Sequence, residues 1–205
     1  MKATYCLAMR LRAISSDVKV WTFFLLFLVA CGTDTAPIQE PDPIDVFRES
    51  CASCHGDDGA GTPAGPQILS PVRGFATHVI RHGRGRELGY ADEMPAWDTT
   101  LISDAQLTSI LDVLSAAPKP TTGQGLYGRF CGNCHGGDAQ GGRVGKDITR
   151  ETDEIHEAVR EGHHVGQYAD DEYMPAWSDA ELTRAEVTLI AQYLATLPPG
   201  PADDD

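Results

Sequence analysis

The sequence predicts an all-α protein built from two tandem small domains, and an internal repeat is the main observation behind that prediction. Residues 51–55 (Cys-Ala-Ser-Cys-His) recur 80 positions later as residues 131–135 (Cys-Gly-Asn-Cys-His), and residues 94–97 (Met-Pro-Ala-Trp) recur at the same shift as residues 174–177. Both copies contain helix-starting residues followed by helical apolar patterns, and neither motif lies in the alternating pattern of a β-strand. The chain therefore contains two copies of one helical unit.

The segment before the repeats has the features of an export signal. Residues 1–30 carry basic residues and end in an apolar run, residues 20–30, which is too short to cross a bilayer but suits a signal peptide. Leu-Val-Ala before Cys31 resembles a bacterial lipobox, so we expect a lipoprotein signal peptide and a lipid on Cys31. An ordinary signal peptide with an incidental Cys is the alternative. In some bacteria an Asp directly after the lipidated Cys retains the protein in the inner membrane. Gly32 stands at that position here, which favours the outer membrane.

The helical signals follow the same order in each repeat. A first helix is expected to contain the Cys-x-x-Cys-His motif, a short middle helix follows, and the last helix starts at a capping box headed by Ser103 or Thr183. The first helices are expected at residues 45–55 and 124–135, the middle helices at 75–82 and 154–161, and the last helices are expected to bury Leu107, Ile110, Leu111 and Leu114, and Val187, Ile190, Tyr193 and Leu194.

These elements divide the chain into segments. The expected order is a signal peptide (residues 1–30), a flexible tether (31–42), a first domain (43–117), a linker (118–123), a second domain (124–198) and a disordered tail (199–205). A core of this size is seldom stable without a metal, disulfide or prosthetic group, so each domain is expected to need one.

The repeated Cys-x-x-Cys-His motif is the attachment signature of c-type haem, in which two thiols bond covalently to the macrocycle and the His ligates iron. The sequence therefore predicts two covalently attached haem c groups. A Met lies 39 residues after each motif His, and its thioether is the expected sixth ligand of an electron-transfer haem. The predicted attachment residues are Cys51, Cys54, Cys131 and Cys134, and the predicted iron ligands are His55, Met94, His135 and Met174.

A Cys-x-x-Cys pair has other uses that must be weighed. A closed zinc site needs four ligands, and each half offers two Cys and one fixed His with no second Cys pair nearby. A thioredoxin-like dithiol should lie between a strand and a helix, and no strand pattern flanks either motif. A disulfide remains possible for one isolated motif, but two motifs with equally spaced Met residues favour haem.

Each half resembles a class I cytochrome c domain, especially the compact type found in cbb3-oxidase-like cytochrome subunits. The likeness rests on the two repeated motifs, on Ile80-Arg81-x-Gly83 and on Val159-Arg160-x-Gly162, and it covers nearly all of residues 43–198. As a tandem the chain also resembles the dihaem cytochrome c4 group. The resemblance implies that a Pro carbonyl accepts the N–H of the proximal His. Pro66 fits that role, whereas Lys146 stands at the aligned position in the second half.

Several other residues could serve the haems. The remaining histidines of the two domains do not pair between the aligned halves, so they are not expected to ligate iron; they are His78, His82, His156, His163 and His164. Trp97 and Trp177 are expected to pack beside the haem. Arg81, Arg84 and Arg86 suit haem propionates, a partner surface or simple solvation.

The net charge bears on the partners. The formal charge is −14, which excludes a nucleic-acid binder because such a chain repels phosphate backbones. The charge favours redox partners with basic docking surfaces. The alternative is that it only keeps an exported protein well solvated. The predicted function is a lipid-anchored dihaem cytochrome that relays single electrons between membrane-associated partners, with no catalytic residue. The alternatives are an electron-entry subunit of a larger dehydrogenase or terminal oxidase, and a dihaem peroxidase, which would need a vacant distal position.

Overall fold

The computed structural model describes residues 41–85, 93–142, 144–170 and 172–200. The expected signal peptide, the lipidated Cys31 and nearly all of the tether lie outside these residues. The described chain contains helices and four isolated bridges but no strand, which agrees with the all-α prediction. The helices are α1 (Pro43–Ser50), α2 (Ala52–His55), α3 (Arg73–His82), α4 (Asp104–Ser115), α5 (Gly123–Phe130), α6 (Gly132–His135), α7 (Ile155–Glu161) and α8 (Arg184–Leu194). No helix among the described residues has the length and hydropathy needed to cross a bilayer.

The first helix of each half is divided in two, which differs from the single helix predicted from sequence. Cys51 separates α1 from α2 with φ −125° and ψ −36°, and Cys131 separates α5 from α6 with φ −124° and ψ −38°. The hydrogen bonding continues through the break, because the amide of Cys51 donates to Phe47 and its carbonyl accepts from His55. The Cys-x-x-Cys-His motif therefore occupies a short turn of its own at a changed angle.

The last helices start at the capping boxes, as predicted. Ser103 and Gln106 cap each other at the start of α4, and Thr183 and Glu186 do so at α8. Such reciprocal bonds satisfy amides that the first helical turn leaves unpaired. All the predicted core residues of these two helices are buried except Tyr193, which is partly buried. Its ring lies 5.6 Å from the ring of Tyr127.

Each half has its own apolar core. The first core joins α1, α2 and α4, and its buried members are Val46, Phe47, Ala52, Ile102, Leu107, Ile110, Leu111 and Leu114. The second core joins α5, α7 and α8, and its buried members are Leu126, Tyr127, Ala139, Ile155, Val159, Trp177, Leu182, Val187, Ile190 and Leu194. Both halves lie in one compact unit, and Gln67 of the first half donates a hydrogen bond to the carbonyl of Arg129 in the second.

Gly200, which was assigned from sequence to a disordered tail, forms hydrogen bonds with the second domain. The amide of Gly200 donates to the Thr149 hydroxyl at 3.1 Å, and its carbonyl accepts from Arg150 at 3.1 Å. The carbonyl of Pro198 accepts from Gln140 at 3.2 Å, and Gly200 is buried. Residues 199 and 200 are therefore attached to the second domain, and the rest of the tail lies outside the described residues.

Candidate haem sites

The four motif cysteines are partly buried and form no disulfide. Burial, with a smaller contribution from Cys54, raises the pKa of Cys51 to about 11. Burial, with a smaller contribution from Cys134, raises the pKa of Cys131 to about 12. A redox dithiol works through a lowered pKa, so these thiols do not have the environment of a thioredoxin-like site. Among the described residues, no cluster of three metal-ligating groups includes a motif cysteine, which also argues against zinc.

Each motif His is held by one backbone carbonyl. Nδ1 of His55 lies 2.8 Å from the carbonyl oxygen of Pro66, and Nδ1 of His135 lies 2.9 Å from that of Lys146. A carbonyl oxygen only accepts, so Nδ1 carries the proton and donates. Nε2 of each ring is then left as the lone-pair nitrogen, which is the arrangement of a metal-ligating His. The missing Pro in the second half therefore does not remove the proximal bond.

Glycines make room for these carbonyl loops beside the motifs. A Cβ added at Gly145 would lie 2.7 Å from the carbonyl oxygen of Cys134 and 2.8 Å from Nδ1 of His135. A Cβ added at Gly65 would lie 3.0 Å from the carbonyl oxygen of Cys54. The loop therefore approaches the motif more closely in the second half than in the first.

The carbonyl of the second motif Cys has a different partner in each half. In the first half the hydroxyl of Thr62 donates to the carbonyl of Cys54 at 2.6 Å. In the second half Gly142 occupies the aligned position, and a Cβ there would lie 2.0 Å from the carbonyl oxygen of Cys134. The amide of Gly145 donates to that oxygen instead, at 3.0 Å. The two halves thus satisfy the same acceptor with a side chain in one case and with the backbone in the other.

Each predicted Met ligand is fixed by a backbone bridge at the end of the middle helix. Met94 exchanges two hydrogen bonds of 2.9 Å with Arg84, and Met174 exchanges two of 2.9 Å with His163. The glycine before each bridge has a positive φ, 76° at Gly83 and 64° at Gly162. A Cβ at Gly83 would lie 2.7 Å from the Met94 carbonyl oxygen, and one at Gly162 would lie 2.6 Å from that of Met174.

The arginines of the middle helices hold the Met loops in place. Arg81 donates to the carbonyls of Trp97 and Ile102, at 2.8 Å each, and pairs with Asp104 at 2.7 Å. Arg160 repeats this arrangement with the carbonyls of Trp177 and Leu182 and with Asp179. Arg81 therefore holds the Met94 loop through its own hydrogen bonds, a role that was not considered from sequence.

The other expected neighbours of the haems are placed as follows. Arg84 lies 5.2 Å from the ring centroid of Phe75, and Arg86 lies outside the described residues. Trp177 is buried and meets Phe130 edge to face at 5.1 Å, whereas Trp97 is partly buried against the first core. Met174 packs against the second core, and Met94 lines a cavity that also includes His78 and Tyr168.

Gln67 is a residue that the sequence did not single out, and it joins the two sites. It follows Pro66, whose carbonyl holds His55. Its side-chain amide donates to the carbonyl of Arg129 at 2.7 Å, and its own carbonyl accepts from Asn133 at 2.8 Å. Asn133 lies inside the second Cys-x-x-Cys-His motif, so the proximal loop of one half contacts the motif of the other. No pattern in the sequence marks such a long-range pair.

The remaining histidines are not placed as iron ligands with a repeated geometry. His78 and His82 stack at 4.2 Å on α3, and His163 and His164 stack at 4.1 Å after α7. His156 makes a 3.3 Å contact with the hydroxyl of Thr188. None of these pairs has an equivalent in the other half, as the sequence predicted.

The residues present fit a covalently attached haem in each half. Two thiols lie about one turn apart, the adjacent His offers a free Nε2, and a glycine-supported loop carries the Met after the middle helix. The buried His55 and the closely approached His135 have fixed orientations because their second nitrogens are bonded to backbone oxygens. The donor set of two thiols, imidazole and thioether is that of an electron-transfer haem c.

Comparisons with known proteins agree with this donor set. The family model described as cytochrome c oxidase, cbb3-type, subunit III matches residues 41–112 and again residues 118–194. The chain is 28% identical over 189 residues to the cbb3-type cytochrome c oxidase subunit CcoP of Rhodobacter capsulatus. It is 28% identical over 179 residues to the CcoP of a second strain of that species. Each match covers 74% of this chain, and the chain spans 60% of the length of these curated relatives.

Proposed function

The chain belongs to the cbb3-type cytochrome c oxidase subunit III family, and from that premise we propose that it relays single electrons between membrane-associated redox partners. Its two tandem cytochrome c domains each carry one covalently attached haem c. The observation that carries the proposal is the duplicated arrangement of a carbonyl-bonded His and a bridge-anchored Met. Two such sites in one chain extend the distance over which an electron can move.

We assign attachment to the thiols and ligation to the His and Met side chains. Cys51 and Cys54 hold the first haem, and Cys131 and Cys134 hold the second. His55 and Met94 ligate one iron, and His135 and Met174 ligate the other. A bound haem supplies one reversible electron per iron, at a potential that thioether ligation raises.

The rest of each site serves to keep this geometry constant. The carbonyls of Pro66 and Lys146 fix the tautomer and the angle of the imidazoles. The arginine clamps and the backbone bridges fix the loops that carry Met94 and Met174. His and Met side chains that both ligate a haem iron would leave no position for a substrate, which would distinguish a carrier from a peroxidase.

Removal of each Met tests the assignment. The oxidised holoprotein should show the red-edge sulfur-to-iron charge-transfer absorption, and Met94→Ala and Met174→Ala should each remove about half of it. Val165→Ala is a matched control, because Val165 is an exposed apolar residue of the Met174 loop. A wild-type protein that is high-spin, binds carbon monoxide when reduced or turns over peroxide at enzymatic rates would contradict the carrier and favour the peroxidase.

A second candidate is an electron-entry subunit that stays bound to a terminal oxidase, and the CcoP relatives favour it because their name places them in such an enzyme. Gentle detergent extraction of native membranes separates the two candidates. When the extract is separated by size-exclusion chromatography, a stable subunit should elute together with the oxygen-reducing activity at every salt concentration. A free carrier should elute alone, and its rate of electron transfer should fall with salt, because the negative chain would be steered to basic partners.

We propose a lipid on Cys31 as the means of membrane attachment, on the basis of the lipobox-like Leu-Val-Ala-Cys sequence. Two or three acyl chains anchor a protein stably, whereas one chain is marginal. The wild-type protein should fractionate with membranes, and with the outer membrane in particular, whereas Cys31→Ser should be released or left unprocessed. A wild-type protein found free in the exported soluble fraction would contradict the lipid anchor.

A further inference from the structure

Three metal-ligating side chains meet in the loop that carries Met174. His163 and His164 follow the end of α7, and Glu172 lies just before Met174. Their ligand atoms all lie within 4.8 Å of one another, and Nε2 of His163 is 3.6 Å from a carboxylate oxygen of Glu172. This is the one such cluster among the described residues.

Asp170 orients two members of this cluster. One of its carboxylate oxygens lies 2.7 Å from Nδ1 of His164, and the other accepts from the backbone amide of Glu172 at 2.9 Å. The Glu172 amide bond, together with His164, lowers the pKa of the Asp170 carboxyl. The Asp170 carboxylate accepts a hydrogen bond from Nδ1–H of His164 and leaves Nε2 with its lone pair for a cation, which is the carboxylate–histidine arrangement of metal sites.

The backbone holds the cluster in a strained and closed loop. His164 has a φ of 44°, which is uncommon for a residue other than glycine. The ends of the loop are joined because His163 exchanges two 2.9 Å hydrogen bonds with Met174. The two imidazoles and the carboxylate are thus brought together by the bridge itself, and not by chance contact between distant segments.

The cluster does not belong to the repeated haem architecture. When the halves are aligned on Arg81 and Arg160, Arg84 stands at the position of His163 and Gly85 at that of His164. Neither of those residues offers an imidazole, although the same bridge is present there through Met94. The first half forms the same Met bridge without imidazoles at these positions, so the bridge itself does not require His163 and His164.

We propose that His163, His164 and Glu172 bind a divalent first-row transition metal of the Zn²⁺ type, with water completing the coordination. Two imidazoles and one carboxylate are a common zinc ligand set, and imidazole selects such ions over Mg²⁺ and Ca²⁺. Zn–N bonds of about 2.0–2.1 Å place two ligand atoms about 3.3 Å apart. The side chains of His163 and Glu172 are 56% and 69% exposed, so rotation about their own bonds can close the difference.

The stacked pair His78 and His82 on α3 is the competing site. Two His one turn apart on a helix can bind the same ions, but only His78 and His82 meet there among the described residues, with no third ligand. Nδ1 of His82 is also engaged with the carbonyl of His78 at 2.8 Å. The loop cluster offers one more ligand and an orienting carboxylate, so it should bind more tightly.

Titration of the purified holoprotein with ZnCl₂, followed by calorimetry, tests the proposal. We expect the wild-type protein to bind one Zn²⁺ tightly per chain. His164→Ala and Glu172→Gln should each lose this one-to-one binding. Asp170→Asn should keep the stoichiometry and weaken the affinity by about 10–100-fold, as expected of a positioning residue. His156→Ala is the matched control for a surface imidazole and should bind as the wild type does.

Three outcomes would overturn the site. Tight binding that survives in both His164→Ala and Glu172→Gln would place the ion elsewhere, and loss of binding in His78→Ala would assign it to α3. Displacement of Zn²⁺ by equimolar Ca²⁺ would show that the ion binds only as a non-specific counter-ion of an acidic surface. Haem content and helical circular dichroism are measured for each variant, and Glu172→Gln, which keeps the size of an exposed side chain, covers the case in which His164→Ala does not fold.

Discussion

The two halves of the chain carry the same predicted ligands, but their apolar cores differ in how completely they are buried. The buried residues of the first core are 2–8% exposed, whereas seven of the second, including Leu126 and Ile190, are 0–1% exposed. The second half also has Tyr127 where the first has Phe47, and the Tyr127 hydroxyl donates to the carbonyl of Gly136 at 2.5 Å. That bond ties α5 to the residue after His135. Duplication therefore preserved the donor set, while packing and backbone bonds diverged around it.

The largest expected contrast comes from truncating the two cores at aligned positions. Ile190→Ala should lower the free energy of unfolding by about 2–5 kcal/mol, because removal of a buried side chain leaves a cavity. Ile110→Ala, in the less completely buried first core, should cost less. Denaturant unfolding followed by circular dichroism measures both.

Leu189→Ala is the control for this pair, since Leu189 is on α8 but 37% exposed, and its effect should stay within about 0.5 kcal/mol. Equal losses for Ile190→Ala and Ile110→Ala would mean that the difference in burial has no energetic consequence, and the comparison between the cores would fail.

The next contrast concerns the space beside the proximal His. Gly145→Ala should destabilise the second half by about 1–3 kcal/mol, because its Cβ would overlap fixed backbone atoms and the His135 ring. It should also alter the absorption of one haem. Gly65→Ala meets a contact of 3.0 Å and should have a smaller effect.

Gly137→Ala is the matched control in the same half, because a Cβ there meets nothing within 4 Å. The prediction would fail if Gly65→Ala destabilised the protein more than Gly145→Ala did. It would also fail if Gly145→Ala and Gly137→Ala had equal effects on stability and haem absorption.

The smallest expected effect is that of Lys146, which replaces the Pro of the first half. Lys146→Ala keeps the carbonyl that accepts from His135, and it removes only an exposed ion pair with Glu151. The stability should change by less than about 1 kcal/mol and the haem spectrum should not change. A spectral change comparable to that of Met174→Ala would show that the side chain, and not the carbonyl, sets the proximal bond.

The helices could be predicted because their signals are local. The capping residues Ser103 and Thr183 and the apolar spacing of α4 and α8 appear in the sequence within one or two turns. The break at Cys51 and Cys131 could not be predicted, since it depends on how the motif turn is held by the carbonyl loops. Tyr193 was expected to be buried but is only partly buried, packed against the core beside the Tyr127 ring.

The sequence by itself determined the all-α class and the two copies, and it predicted the ligands, because covalent attachment and iron ligation require particular atoms at fixed spacings. Tertiary structure decided which groups support them. The clamp of Arg81, the link from Gln67 to Asn133, the bonds of Gly200 and the meeting of His164 with Glu172 all join atoms that are distant in sequence or separated by a loop. Such contacts depend on the path of the folded backbone, and no local pattern encodes that path.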